Sequence, residues 1–162
     1  MSTLYVDNLQ PNLGSRVMAA GHVVQVVEHI LETVAVGTSS STFASTGLTQ
    51  SITPTATSSK ILVSVNVNGL YKSNVNSAVV LRITDGTTSY EYESLATYDN
   101  VTGSNSTGSA SFQRLYSPNS TSAQTYTVEF MNPLNSGTVY INSRWGSGRS
   151  SMSSIHLMEI AQ

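Results

Sequence analysis

SSIHLMEIAQ, residues 153–162, is the stretch whose reading decides the fold. As an extended strand it turns Ile155 and Leu157 to one side and His156, Met158 and Ile160 to the other. A strand apolar on both faces must be covered on both faces. A chain of 162 residues can cover one face with its own second sheet. The other face needs a partner, and another copy of the same chain supplies one. The phrase therefore predicts a homo-oligomer built round a β-strand core.

Outward from that phrase the same pattern repeats. KILVSVNVN (60–68) alternates, with Ile61, Val63, Val65 and Val67 inward and Ser64, Asn66 and Asn68 outward. Residues 42–53 read as a strand closed by Pro54. Residues 78–84 and 87–95 flank Asp85-Gly86, a two-residue hairpin signal in which both turn positions take positive φ. On its return arm Tyr90 and Tyr92 share one face and Glu91 and Glu93 the other. Residues 99–109 read as a polar loop. Strands follow at 110–116, 125–131 and 138–142, the last two joined by a turn around Pro133 and Asn135-Ser136-Gly137, and RWGSGRSS leads into the closing strand.

The segment HVVQVVEHILETVAV (22–36) carries two readings. Val23, Val27, Ile30 and Val34 have helical spacing close to the seam of a trimeric coiled coil. Against this stand a high share of β-branched residues and the lack of a capping residue before His22. Strand is the preferred reading, ended by Gly37 and the TSSS run, and the sequence leaves the choice open. Residues 1–20 hold a possible short strand (4–9), then Pro11, Gly14 and Gly21 among little apolar material, and read as an extended arm with a linker. The expectation is an all-β chain: an antiparallel β-sandwich or jelly roll of eight or nine strands over 21–162, assembled as a homotrimer, with an N-terminal arm over 1–20.

Composition narrows the function classes. Only 10% of residues are charged, while Ser and Thr make up about three in ten. The 39% apolar content falls in strand-like blocks, which argues for a folded domain with hydroxyl-rich outer faces rather than disorder. A net charge of -2, with seven basic residues spread singly, gives no footprint for nucleic acid. No apolar run is long enough for membrane insertion as a helix. The opening MSTLYVDNLQPNLG lacks the basic start and apolar run of a secretion signal, so the sequons at Asn100, Asn105 and Asn119 read as products of a Ser/Thr-rich chain. Cysteine is absent, which excludes disulfides and thiolate metal sites.

Candidate sites are few. Trp145, the only Trp, lies in the Gly-rich loop between Arg144 and Arg149; rings stack on sugars and guanidinium forks take carboxylates and phosphates. The bland alternative is a Trp plugging one end of the sandwich. Tyr98, Asp99 and Asn100 open the polar loop, a place where recognition often sits. Glu91 and Glu93, about 6.5–7 Å apart along a strand face, approach the spacing of paired glycosidase carboxylates, but polar alternation yields such pairs routinely. His156 and Glu159 point to opposite faces, as do His22 and His29 in an extended segment, so no shared metal site is expected. No catalytic centre and no cofactor are expected.

Three phrases carry a resemblance. AGHVVQVVE (20–28), TGLTQSITPTATSSKILVSVNVNG (46–69) and the ending SSIHLMEIAQ resemble, in this order, blocks of a family of small bacteriophage tail-fibre proteins. The D-G hairpin, the Tyr-Thr-Val strand and the VYIN strand between them fit as well. MSTLYVDNLQP is similar to fibre N-termini that anchor on a tail or baseplate. The resemblance covers nearly the whole chain and implies a virion component, assembled in the host cytoplasm, that meets a polysaccharide or protein receptor on the host surface. It places tail attachment on Leu4, Tyr5, Val6 and Leu9. Host contact falls to Tyr98, Asp99, Asn100, Arg144, Trp145 and Arg149, and the trimer interface to Val24, Val26, His156, Met158 and Ile160. No shaft or chaperone-like tail follows, so a minimal fibre is expected. A polysaccharide hydrolase resting on Glu91, Glu93, Asp85 and Asp99, and a non-viral carbohydrate-binding module, are the alternatives.

Overall fold

A computed structural model describes residues 19–32, 35–94, 105–143 and 151–162. Among these the chain is all-β and antiparallel, with ten strands: β1 (Val23–Leu31), β2 (Val36–Thr38), β3 (Ala44–Ile52), β4 (Lys60–Lys72), β5 (Val79–Thr84), β6 (Ser89–Ser94), β7 (Asn105–Tyr116), β8 (Gln124–Met131), β9 (Val139–Ile141) and β10 (Ser153–Ile160). The proposed arm, residues 1–18 of it, lies outside the described residues.

The strands form two sheets. One runs β3-β8-β5-β6, and the other is built on β4, the longest strand. β7 pairs with β4 along one side, from Ile61↔Tyr116 to Lys72↔Asn105. On the opposite side β10 takes residues 60–66 and β9 takes Tyr71 and Lys72. β1 flanks β10 and β2 flanks β9. Two neighbouring ranks of this sheet are thus each broken into two strands, which is why ten strands stand where eight or nine were expected. Counted by rank in chain order, the sheets read 1-8-3-6 and 2-7-4-5.

The break sits beside a bulge in β4. Gly69 takes φ +64, and its carbonyl accepts the Ser143 amide at 3.0 Å. A side chain at this glycine would run into the Ser143 backbone, so only glycine permits the crossing.

The core lies between the sheets. Ile61, Val63, Val65 and Val67 of β4 and Ile155 and Leu157 of β10 are buried, as their alternation predicts. They meet Leu48, Leu81, Ile83, Val128 and Phe130 from the other sheet. Each such side chain contributes about 1.5–3 kcal/mol. Tyr116 seals one flank, edge-on to Tyr90 and 4.7 Å from the Tyr126 ring. Burial raises the pKa of both Tyr116 and Tyr126, the latter to about 12.

One open choice closes on its preferred side, and three expectations change. Residues 23–31 are strand and not coiled coil, since they complete the sheet beside β10. Gly37 does not end a strand but lies within β2, where the Tyr140 ring occupies the space of a side chain. The Asp85-Gly86 turn is a four-residue loop, because Thr84 pairs with Ser89. Only Gly86 has positive φ there, and the Asp85 carboxylate accepts the amides of Thr87 and Thr88 at 2.8 and 2.6 Å, which holds the wider loop. Finally, residues 105–109 belong to β7, drawn out by pairing with the long β4.

Candidate interaction surface

The register brings outward residues of the β4 sheet into rows across four strands. Val26 of β1 lies beside Met158 of β10, Met158 beside Leu62 of β4, and Leu62 beside Leu115 of β7. The row is apolar from edge to edge, with Val26 53% and Leu115 45% exposed and the two central residues half-buried. The next row is polar: Glu28, His156, Ser64 and Gln113. His156 Nε2 lies 3.2 Å from a Glu28 carboxylate oxygen, and the Gln113 amide donates to the Ser64 hydroxyl at 3.3 Å. Beyond it Ile30 is exposed beside Ser154. On the other flank Ile160, half-buried, pairs with Val23 beside a bulge between Val23 and Gln25.

The outward face of the other sheet has a different chemistry. Thr49 and Thr127 hydroxyls bond each other at 3.1 Å, Ser51 and Thr125 at 2.7 Å, and Ser89 and Thr84 at 3.0 Å. Arg82 pairs with Glu129 at 2.6 Å and stacks over Phe43, 4.0 Å from its centroid. Hydroxyls and a paired cation suit water and need no further cover.

Behind the apolar row lies a buried carboxylate. Glu159 is fully buried on the inward side of β10. One of its oxygens accepts the Thr55 amide, the Thr55 hydroxyl and the Ser59 hydroxyl, each at 2.7 Å, and the other accepts the Gln25 amide at 2.7 Å. Burial pushes its pKa up, but the hydrogen bonds from Ser59, Thr55 and Gln25 outweigh it, and the net direction is down. The group ties β1, β10 and the 53–59 connection together. Nearby, the Gln50 amide donates to the Glu28 carbonyl at 2.5 Å and His29 Nδ1 lies 2.9 Å from the Thr49 carbonyl. These contacts sew the edge of one sheet to the edge of the other.

Of the residues singled out from sequence, Val26, His156, Met158 and Ile160 come together on one face, while Val24 falls in the bulge of β1. Leu62, Leu115 and Ile30 join them and were missed, because only the register aligns them with Met158 and Ser154. Leu4, Tyr5, Val6, Leu9, Tyr98, Asp99, Asn100, Arg144, Trp145 and Arg149 lie outside the described residues. Glu91 is exposed, the side chain of Glu93 lies outside the described set, and Asp85 is engaged in its turn. Among the described residues no group of three His, Asp or Glu could hold a metal ion.

No protein-family model matches the chain, and no curated protein matches it.

Proposed function

We propose that this chain is a structural and adhesive component of a bacteriophage tail fibre. It acts as a homotrimer, with residues 1–20 attaching it to a tail or baseplate protein and residues 98–100 and 144–149 meeting the host surface. Three lines support the reading. The tail-fibre-like phrases span the chain in order. The rank order 1-8-3-6 and 2-7-4-5 is that of a jelly-roll sandwich, an architecture shared by virion shells and lectins. The observation that carries most weight is the apolar row Val26, Met158, Leu62 and Leu115, which asks for cover by another copy.

Gold-labelled antibody raised against the chain, applied to purified virions, tests the assignment. Label at the tail that is lost on deletion of residues 1–20 is expected; virions without label would overturn it. A reducing-end assay on host envelope material is expected to show no turnover. Turnover would instead support the polysaccharide hydrolase.

A further inference from the structure

The polar row beside the apolar one bears on when copies associate. Its one charged pair, Glu28 and His156, spans two strands, with side chains 58% and 35% exposed in a single copy. The row adjoins the Val26–Met158–Leu62–Leu115 row on one side and the Ile30, Ser154, Asn66 and Ser111 row on the other, so a partner that covers both the apolar row and Ile30 also covers the pair.

The other charged groups near His156 do not compete with Glu28. On its own strand Glu159 faces inward and is saturated with donors. From β4 the facing residue is Ser64, and Lys60 lies two rows away beside Ile160. From β7 the facing residue is Gln113, and Arg114 is turned onto the Tyr90 ring, 3.7 Å from its centroid. Within the face, Glu28 depends on His156 for compensation.

A second copy of this chain is the partner that fits. Four strands at about 4.8 Å spacing and eight residues at about 3.3 Å rise span roughly 500 Å² in projection. With side chains standing off the sheet, this is the order of the roughly 800 Å² per partner of a stable interface. Identical copies round a three-fold axis bring identical carboxylates towards one another, so the face escapes repulsion only if each copy cancels its own charge. The Glu28–His156 pair does so when the imidazole is protonated.

We infer that this face is a proton-coupled interface between copies, strengthened by acid through the Glu28–His156 pair. The inference rests on the reading of that face as the contact between copies. When a second copy removes water from Glu28, its carboxylate needs a counter-charge. An imidazolium supplies it; a neutral ring donates a hydrogen bond and no charge. The assembled state therefore keeps a proton on the ring that a free chain can release. Association therefore strengthens as pH falls and weakens as pH rises.

The test is sedimentation of the full chain at pH 5.5 and pH 8, read as the dissociation constant of the assembly. The constant is expected to be at least tenfold weaker at pH 8. His156→Gln keeps a donor to Glu28 without the charge, and is expected to hold the weak value at both pH values. Glu28→Gln leaves a protonated His156 without a counter-charge, and is expected to be tight at pH 8 and weaker at pH 5.5, the reverse of the unaltered chain. Equal affinity of the unaltered chain at both pH values, or a pH response that survives His156→Gln, would overturn the inference and leave the oligomer standing. Assembly that persists in Met158→Asp would move the contact to another face and overturn the inference likewise. A chain monomeric at every pH would remove both the inference and the oligomer.

Discussion

The two sheets share one core and differ in almost everything outside it. The β3-β8-β5-β6 sheet has four unbroken strands and an outward face of mutually bonded hydroxyls and a paired Arg82. The β4 sheet has two broken ranks, a glycine crossing at Gly69, a buried carboxylate in place of a core residue, and an outward face with an apolar row from edge to edge. The first is finished as a surface. The second is assembled from pieces and left with apolar side chains in water, and it is the face assigned by the proposal to contact between copies.

That contrast can be broken by substitution. The largest effect on the fold is expected at Glu159, whose loss leaves the four donors from Thr55, Ser59 and Gln25 without an acceptor. Glu159→Ala should cost about 3 kcal/mol in chemical denaturation. The same group sets an acid limit. Its folded pKa is depressed, so its contribution is fully present above the unfolded carboxylate value of about 4.3 and is lost as pH falls through the folded value. Denaturation followed by circular dichroism should show stability falling on acidification, with a shallower fall in Glu159→Ala.

Next comes the outward face itself. Leu62→Asp puts a charge in the middle of the apolar row and should reduce association at least a hundredfold, read by light scattering, while the far-ultraviolet spectrum stays that of a β protein. Gly69→Ala should cost about 1–3 kcal/mol, since the residue has positive φ and faces the Ser143 backbone. Smallest is Thr127→Val on the hydroxyl face, expected to change stability by less than about 0.5 kcal/mol and the solution mass not at all. If Thr127→Val altered the mass and Leu62→Asp did not, the roles of the two faces would be reversed.

Much of the fold was legible in the sequence because its signals are local. The alternation of 60–68 and of 153–160 fixes which residues enter the core, and the β-branched content of 23–31 outweighs its helical spacing. What escaped depends on partners distant in sequence. The broken ranks follow from where β10 ends and β9 begins along β4. The hairpin is wider than its dipeptide suggests because Asp85 satisfies two amides of its own loop. Glu159 reads as a polar residue in an apolar strand, and three of its four donors lie about a hundred residues away. The proposed contact face was half legible: parity exposes His156, Met158 and Ile160, whereas Leu62 and Leu115 join them only through register.

The measurement that tests the central claim most directly is the solution mass of the purified chain at pH 6, by light scattering coupled to size exclusion. The monomer is 17.2 kDa, and a homotrimer has a mass three times that, about 52 kDa. A species of that mass, lost in Leu62→Asp, is the predicted result. A monodisperse 17.2 kDa species at the same pH and at high concentration would contradict the account, since the apolar face would then stand uncovered by any copy of the chain.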